Sequence, residues 1–109
     1  MSDEKKPEKP LKDPRVDVYV YPKDEKSSEH KEAADKVKKV LKEKVKEAIE
    51  KNKSGGKNKQ FDAVDSETKK AGKDTDPKKI GGIEVIVKGI DGDANQVQRG
   101  LKVVPKEGK

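Results

Sequence analysis

With 109 residues the chain has room for one small domain and its tails, and its 28% apolar and 46% charged residues place it on the disorder-leaning side of globular proteins. The absence of cysteine excludes disulfides, thiolate nucleophiles and cysteine-ligated zinc. The formal net charge of +6 is carried almost wholly by lysine, since Arg15 and Arg99 are the two arginines, so polyanion binding through this surface would be loose and salt-sensitive rather than base-specific. Acidic residues are interleaved nearly everywhere, and the plainer reading of the charge is a solvated surface.

Residues 1–14 hold four positive and four negative side chains and the prolines Pro7, Pro10 and Pro14. Proline lacks the amide donor and resists helix and central strand, so a disordered charged arm is expected here. The opening MSDEKKPEKP has no apolar run, and no stretch of the chain approaches the ~18–20 apolar residues of a spanning helix. A soluble, cytoplasmic protein, or a trimmed piece of something larger, is the expectation.

Next comes RVDVYVY, Arg15 to Tyr21, which alternates strictly. Val16, Val18 and Val20 share one side of a strand, while Arg15, Asp17, Tyr19 and Tyr21 share the other. Pro22 stops it. Ser27 or Ser28 then caps a long helix, with Glu29 and Glu32 near its positive end. Ala34, Val37, Val40, Leu41, Val45, Ala48 and Ile49 recur at three- and four-residue spacing and form one apolar stripe. The pattern fades near Asn52. Such a helix spans roughly 40 Å, against about 20 Å for a strand, so part of it is expected to overhang the sheet or to pack on another chain.

KNKSGGKNKQ reads as a flexible linker, FDAV as a short strand, and DSETKKAGKDTDPKK as a polar loop, so residues 53–79 are expected to be linker and loop. GIEVIVKGI is the second clear strand, with Ile83, Val85 and Val87 opposite Glu84, Ile86 and Lys88. DGDANQVQRG separates it from LKVVP. A hairpin opened at Asp91-Gly92 is the preferred reading, and a two-turn crossover helix capped by Asp93 is the alternative. The expected fold is α+β: one long helix packed on a small three- or four-stranded sheet, a single domain over 15–105 with a tail at 106–109.

A single helix covers one sheet face. The other face would carry Arg15, Asp17, Tyr19, Tyr21, Glu84, Ile86, Lys88, Lys102 and Val104. Three readings of its tyrosines stay open. They are ordinary cross-strand packing, an assembly face in which Tyr19, Tyr21, Ile86 and Val104 meet another subunit, or a base-stacking platform flanked by Lys88 and Lys102.

Catalytic chemistry is scarce. His30, the lone histidine, stands at the start of a polar helix with no nucleophile or orienting group indicated. Asp91, Asp93 and Asn95 begin like a calcium loop, but Gln96 takes the place of the turn glycine and Lys102 that of the bidentate glutamate. SGGKNK lacks the spacing of a phosphate loop, and GGIEV precedes a strand rather than following one. A non-enzyme without metal, cofactor or small-molecule substrate is expected.

The segment PKKIGGIEVIVKGIDGDANQVQ, Pro77 to Gln98, and the later LKVVPK resemble the ring-building region of stage III sporulation protein AG. The shared features are a proline-led lead-in, an apolar strand ending near a glycine, a closing strand with Pro-Lys, and a preceding polar insertion like SETKKAGKDTDPKK. The resemblance implies a small α/β module that oligomerises into a membrane-associated ring. It covers at most a third of the chain, and two family features, a longer helix between those strands and an N-terminal membrane segment, have no counterpart in this sequence. No functional residue transfers. The regular Lys/Glu helix would also suit an engineered sequence. The expected role is therefore an interaction or assembly module that self-associates or docks a protein partner. The alternative is a weak nucleic-acid binder using Lys53, Lys57 and Lys59 with the Tyr/Lys face.

Overall fold

Strict alternation at Val16, Val18 and Val20 produces the first strand in the computed structural model, which describes residues 9–92 and 94–105. β1 spans Lys12–Pro22, α1 Ser28–Lys51, α2 Lys57–Asp74, β2 Ile80–Ile90 and β3 Gln96–Val103. The three strands form one antiparallel sheet in the order β1-β2-β3, and both helices lie on one side of it. The α+β class and the β2–β3 hairpin match the sequence reading. The second helix does not.

α1 starts where serine chemistry allows. Ser27 is the N-cap, and its Oγ accepts the His30 N–H at 3.2 Å. The helix ends at Asn52, whose N–H and Nδ2 both donate to the Ala48 carbonyl. Its stripe buries Ala34, Leu41, Val45, Ala48 and Ile49, while Val40 stays exposed.

The stretch expected as linker and loop is instead a short 3-10 turn over Lys53–Gly55 followed by α2. Gly56 joins them at φ 89°, a backbone setting that favours glycine, so the glycines are a joint rather than a tether. FDAV is helical, not a strand: Phe61 and Val64 point into the core together with Thr68. α2 lies along α1's flank, with Ala71 facing Val37 and Leu41 and Ala63 facing Ala48.

The expected arm is shorter than its composition suggests. Leu11 is buried, and β1 begins at Lys12. Lys57 donates its backbone N–H to the Lys9 carbonyl at 3.0 Å, which fastens this segment to the start of α2. Residues 1–8 and the tail at 106–109 lie outside the described residues.

The core sits between sheet and helices. Ile83, Val85 and Val87 on the central strand are each 1% exposed and stack with Val16 and Val18 beneath Leu41, Val45 and Ile49. Each such side chain contributes about 1.5–3 kcal/mol by leaving water. β3 supplies Val97 and Val103, partly buried on the same side.

Candidate interaction face

The register fixes which side chains share the uncovered side of the sheet. Arg15 stands opposite Lys88, Asp17 opposite Ile86, Tyr19 opposite Glu84, and Tyr21 opposite Gly82. Across β2, Lys88 faces Gln98, Ile86 faces Gly100, and Glu84 faces Lys102. Directly opposed residues of an antiparallel ladder point to the same side. Tyr19, Tyr21, Ile86, Lys88 and Lys102 therefore lie on one face, as expected from the sequence. Val104 falls just past the end of β3 and is 68% exposed.

The two tyrosines are held differently. Tyr21 donates its hydroxyl to Glu84 Oε1 at 3.2 Å, and its ring lies beside Gly82, where a Cβ would sit 3.8 Å from Cδ2. The hydrogen bond runs diagonally, because Glu84 is the direct neighbour of Tyr19. Partial loss of solvent on the sheet surface, then the hydrogen bond to Glu84 and the charges of Glu84 and Tyr19, raise the Tyr21 phenol pKa above its ordinary value. Both rings remain nearly half exposed, Tyr19 at 43% and Tyr21 at 47%.

The face has two ends of different character. At one end Tyr21, Gly82, Lys102 and Val104 line a hollow of about 360 Å³. At the other, Arg15 and Lys88 stand side by side with Gln98 over a wider polar hollow of about 580 Å³, with Asp13 at its rim.

A second concavity lies between the helices. Val37, Val40, Leu41 and Ala71 floor a groove of about 250 Å³, with Lys36, Lys44, Lys70, Glu67 and Asp74 around it. Its volume is below the roughly 300–1,000 Å³ typical of small-molecule pockets.

The remaining sequence candidates sit elsewhere and have structural duties. His30 Nδ1 accepts the Asp24 N–H at 3.1 Å, which closes the turn into α1. Asp91 is buried, accepts the Asn95 N–H at 3.0 Å and lies 3.4 Å from Lys57 Nζ, so its carboxylate shapes the hairpin turn and anchors α2. Asp93, the second acid of the calcium-like pattern, lies outside the described residues. Lys57 belongs to the first turn of α2 rather than to a free linker. Among the described residues no group of three His, Asp or Glu converges as metal ligands, and no helix is long and apolar enough to cross a membrane.

Sequence reasoning missed Arg99, which it treated only as one of two arginines. It projects from the helix-facing side of β3, where its Nη2 donates to Asp65 Oδ2 at 2.7 Å and its guanidinium lies 5.9 Å from the Phe61 ring centroid. Opposition to Val87 in the ladder places it there, and that placement became readable only with α2 present. No protein-family model, curated protein or solved structure matches this chain.

Proposed function

We propose that the chain is a non-catalytic assembly module acting through the uncovered sheet face, by self-association or by docking a protein partner. The observation that carries this reading is the pair Tyr19 and Tyr21, two half-exposed aromatic rings on a sheet side that no helix among the described residues covers. Aromatic side chains are enriched where protein surfaces meet, because they offer large contact area at low entropic cost. Val104 and Ile86 add aliphatic surface beside them. The likeness of residues 77–106 to a ring-building region supports the same reading.

Light scattering coupled to size exclusion tests it. The wild-type chain is expected to run above its monomer mass of 12.1 kDa. Tyr19→Ser together with Tyr21→Ser should lower the mass while leaving helix content intact. An unchanged mass would remove these residues from the contact. Co-eluting nucleic acid that salt strips away would instead favour polyanion binding by Arg15, Lys88 and Lys102.

A further inference from the structure

A three-stranded sheet has two edges, and here they are unlike. β1 forms one of them. Its ladder with β2 is continuous from Arg15 to Tyr21, but both ends are interrupted: the register shifts between Lys12 and Arg15 and again between Tyr21 and Pro22, Asp13 takes φ 49°, and Pro14 and Pro22 lack amide donors. Bulges and prolines of this kind keep an edge from accepting another strand. β3 forms the other edge. It pairs with β2 without a break from Gln96 to Val103 and contains no proline. No strand among the described residues lies beyond it.

Gly100 stands in the middle of that edge, and the fold does not require a glycine there. Its φ is not in the left-handed region, where Gly56 is the one glycine found among the described residues. A Cβ at position 100 would meet Ile86 Cγ1 at 3.5 Å, an ordinary contact. A glycine inside a strand weakens it and often marks a bulge or the close approach of a ligand or another backbone.

We propose that β3 pairs with β3 of a second copy, antiparallel, about a two-fold axis at Gly100. The two three-stranded sheets then join edge to edge. This rests on the self-association form of the assembly reading and names a second copy as the partner, but it places the contact on the β3 edge rather than at the tyrosines. A two-fold interface is self-complementary, so each residue meets a fixed opposite number and the relation is reciprocal. In this register Lys102 faces Gln98 of the second copy, Arg99 faces Leu101, and Val97 faces Val103. No like charges are opposed. Centring the pairing on Arg99 instead would set two guanidinium groups against each other, which is destabilising. Centring it on Leu101 would shorten the ladder. The sequence of β3 is thus matched to itself in one register, and Gly100 lies on its axis.

The chain has no cysteine, so introduced thiols report contacts cleanly. Gln98→Cys and Lys102→Cys chains, mixed in equal amounts and oxidised, should give a disulfide-linked heterodimer, with much less product when either chain is oxidised alone. Light scattering across a concentration series supplies the second reading. Gln98→Lys places like charges opposite Lys102 at both symmetry-related positions and should weaken the dimer by about 2- to 30-fold, whereas Gln98→Glu should tighten it. Because Gln98 also adjoins Lys88 within the chain, the unfolding midpoint of each variant is measured first.

Equal cross-linking in mixed and separate samples overturns the edge pairing. A dimer that ignores the charge at position 98 but is lost with the two tyrosine substitutions also overturns it, and leaves the assembly reading standing on the open face. A monomer at every concentration overturns the edge pairing and leaves the assembly reading only in its partner-docking form.

Discussion

Gln60 holds the Leu11 backbone. Its side chain, 1% exposed, accepts the Leu11 N–H through Oε1 at 2.9 Å and donates through Nε2 to the Ile49 carbonyl at 2.8 Å. One amide thus joins the segment before β1, the end of α1 and the start of α2. Gln60→Leu keeps most of the volume but strands a buried N–H and leaves the carbonyl short of a partner. Each such group costs about 1–3 kcal/mol. The variant should lose about 2–4 kcal/mol in urea unfolding, with an unchanged dependence on denaturant. A loss below about 1 kcal/mol would mean that the segment before β1 contributes little.

Arg99 and Asp65 tie β3 to α2. The arginine side chain is 48% exposed and the aspartate 18%, so solvent screens much of the attraction. Arg99→Ala should cost about 1 kcal/mol, including its contact with Phe61, and less as salt rises. A double-mutant cycle with Asp65→Ala isolates the pair, and a coupling of zero at low salt would refute it.

Gly72 sits in α2 where a Cβ would come within 3.0 Å of Val103 Cγ2. Alanine is favoured over glycine in a helix by about 1 kcal/mol, but here the gain is offset by crowding of β3. Gly72→Ala alone should be neutral to within about 0.5 kcal/mol, and in a Val103→Ala background it should stabilise by about 1 kcal/mol. Equal effects in the two backgrounds would show that the contact exerts no pressure.

Tyr21 ionises above the ordinary phenol value of 10.0, through partial desolvation first and Glu84 next. Glu84→Gln should bring its pKa down, which is visible in the phenolate absorbance because the chain has two tyrosines and no tryptophan. A pKa raised by folding means that the folded state holds the proton more tightly. Its stabilising contribution is complete below the unfolded value and is lost as pH rises through the folded one. Glu84→Gln should therefore reduce alkaline destabilisation. A Tyr21 titration that ignores the substitution would contradict the hydrogen bond.

β1, β2 and α1 were legible because their apolar residues follow clean periods of two and of three to four, while β3 was read only in its LKVV end because Arg99 interrupts the alternation. The side of the sheet carrying Tyr19, Tyr21, Ile86, Lys88 and Lys102 follows from the same alternation. α2 was not legible because its buried positions are chemically mixed. Its core side is Gln60, Phe61, Val64, Thr68 and Gly72, of which just two are conventional core residues. The helical spacing was present, but polar side chains occupied it. Gln60 and Thr68 tolerate burial because each has a backbone carbonyl to donate to, Ile49 for Gln60 and Val64 for Thr68. The Ile49 partner exists only once the two helices have packed, whereas the Val64 carbonyl, four residues back, comes with α2 itself.

The pairing of β1 with β2 sets an order of events when the chain is synthesised. β1 leaves the ribosome first, yet its neighbour in the sheet follows two helices later. Local pairs such as β2 with β3 close quickly, while joining β1 to β2 must pay for closing the whole helical segment. The valine-rich strand therefore spends the longest time as an unpaired nascent segment. The lysines and prolines beside it, Lys12, Pro14, Pro22 and Lys23, are suited to keeping it from joining other chains during that wait.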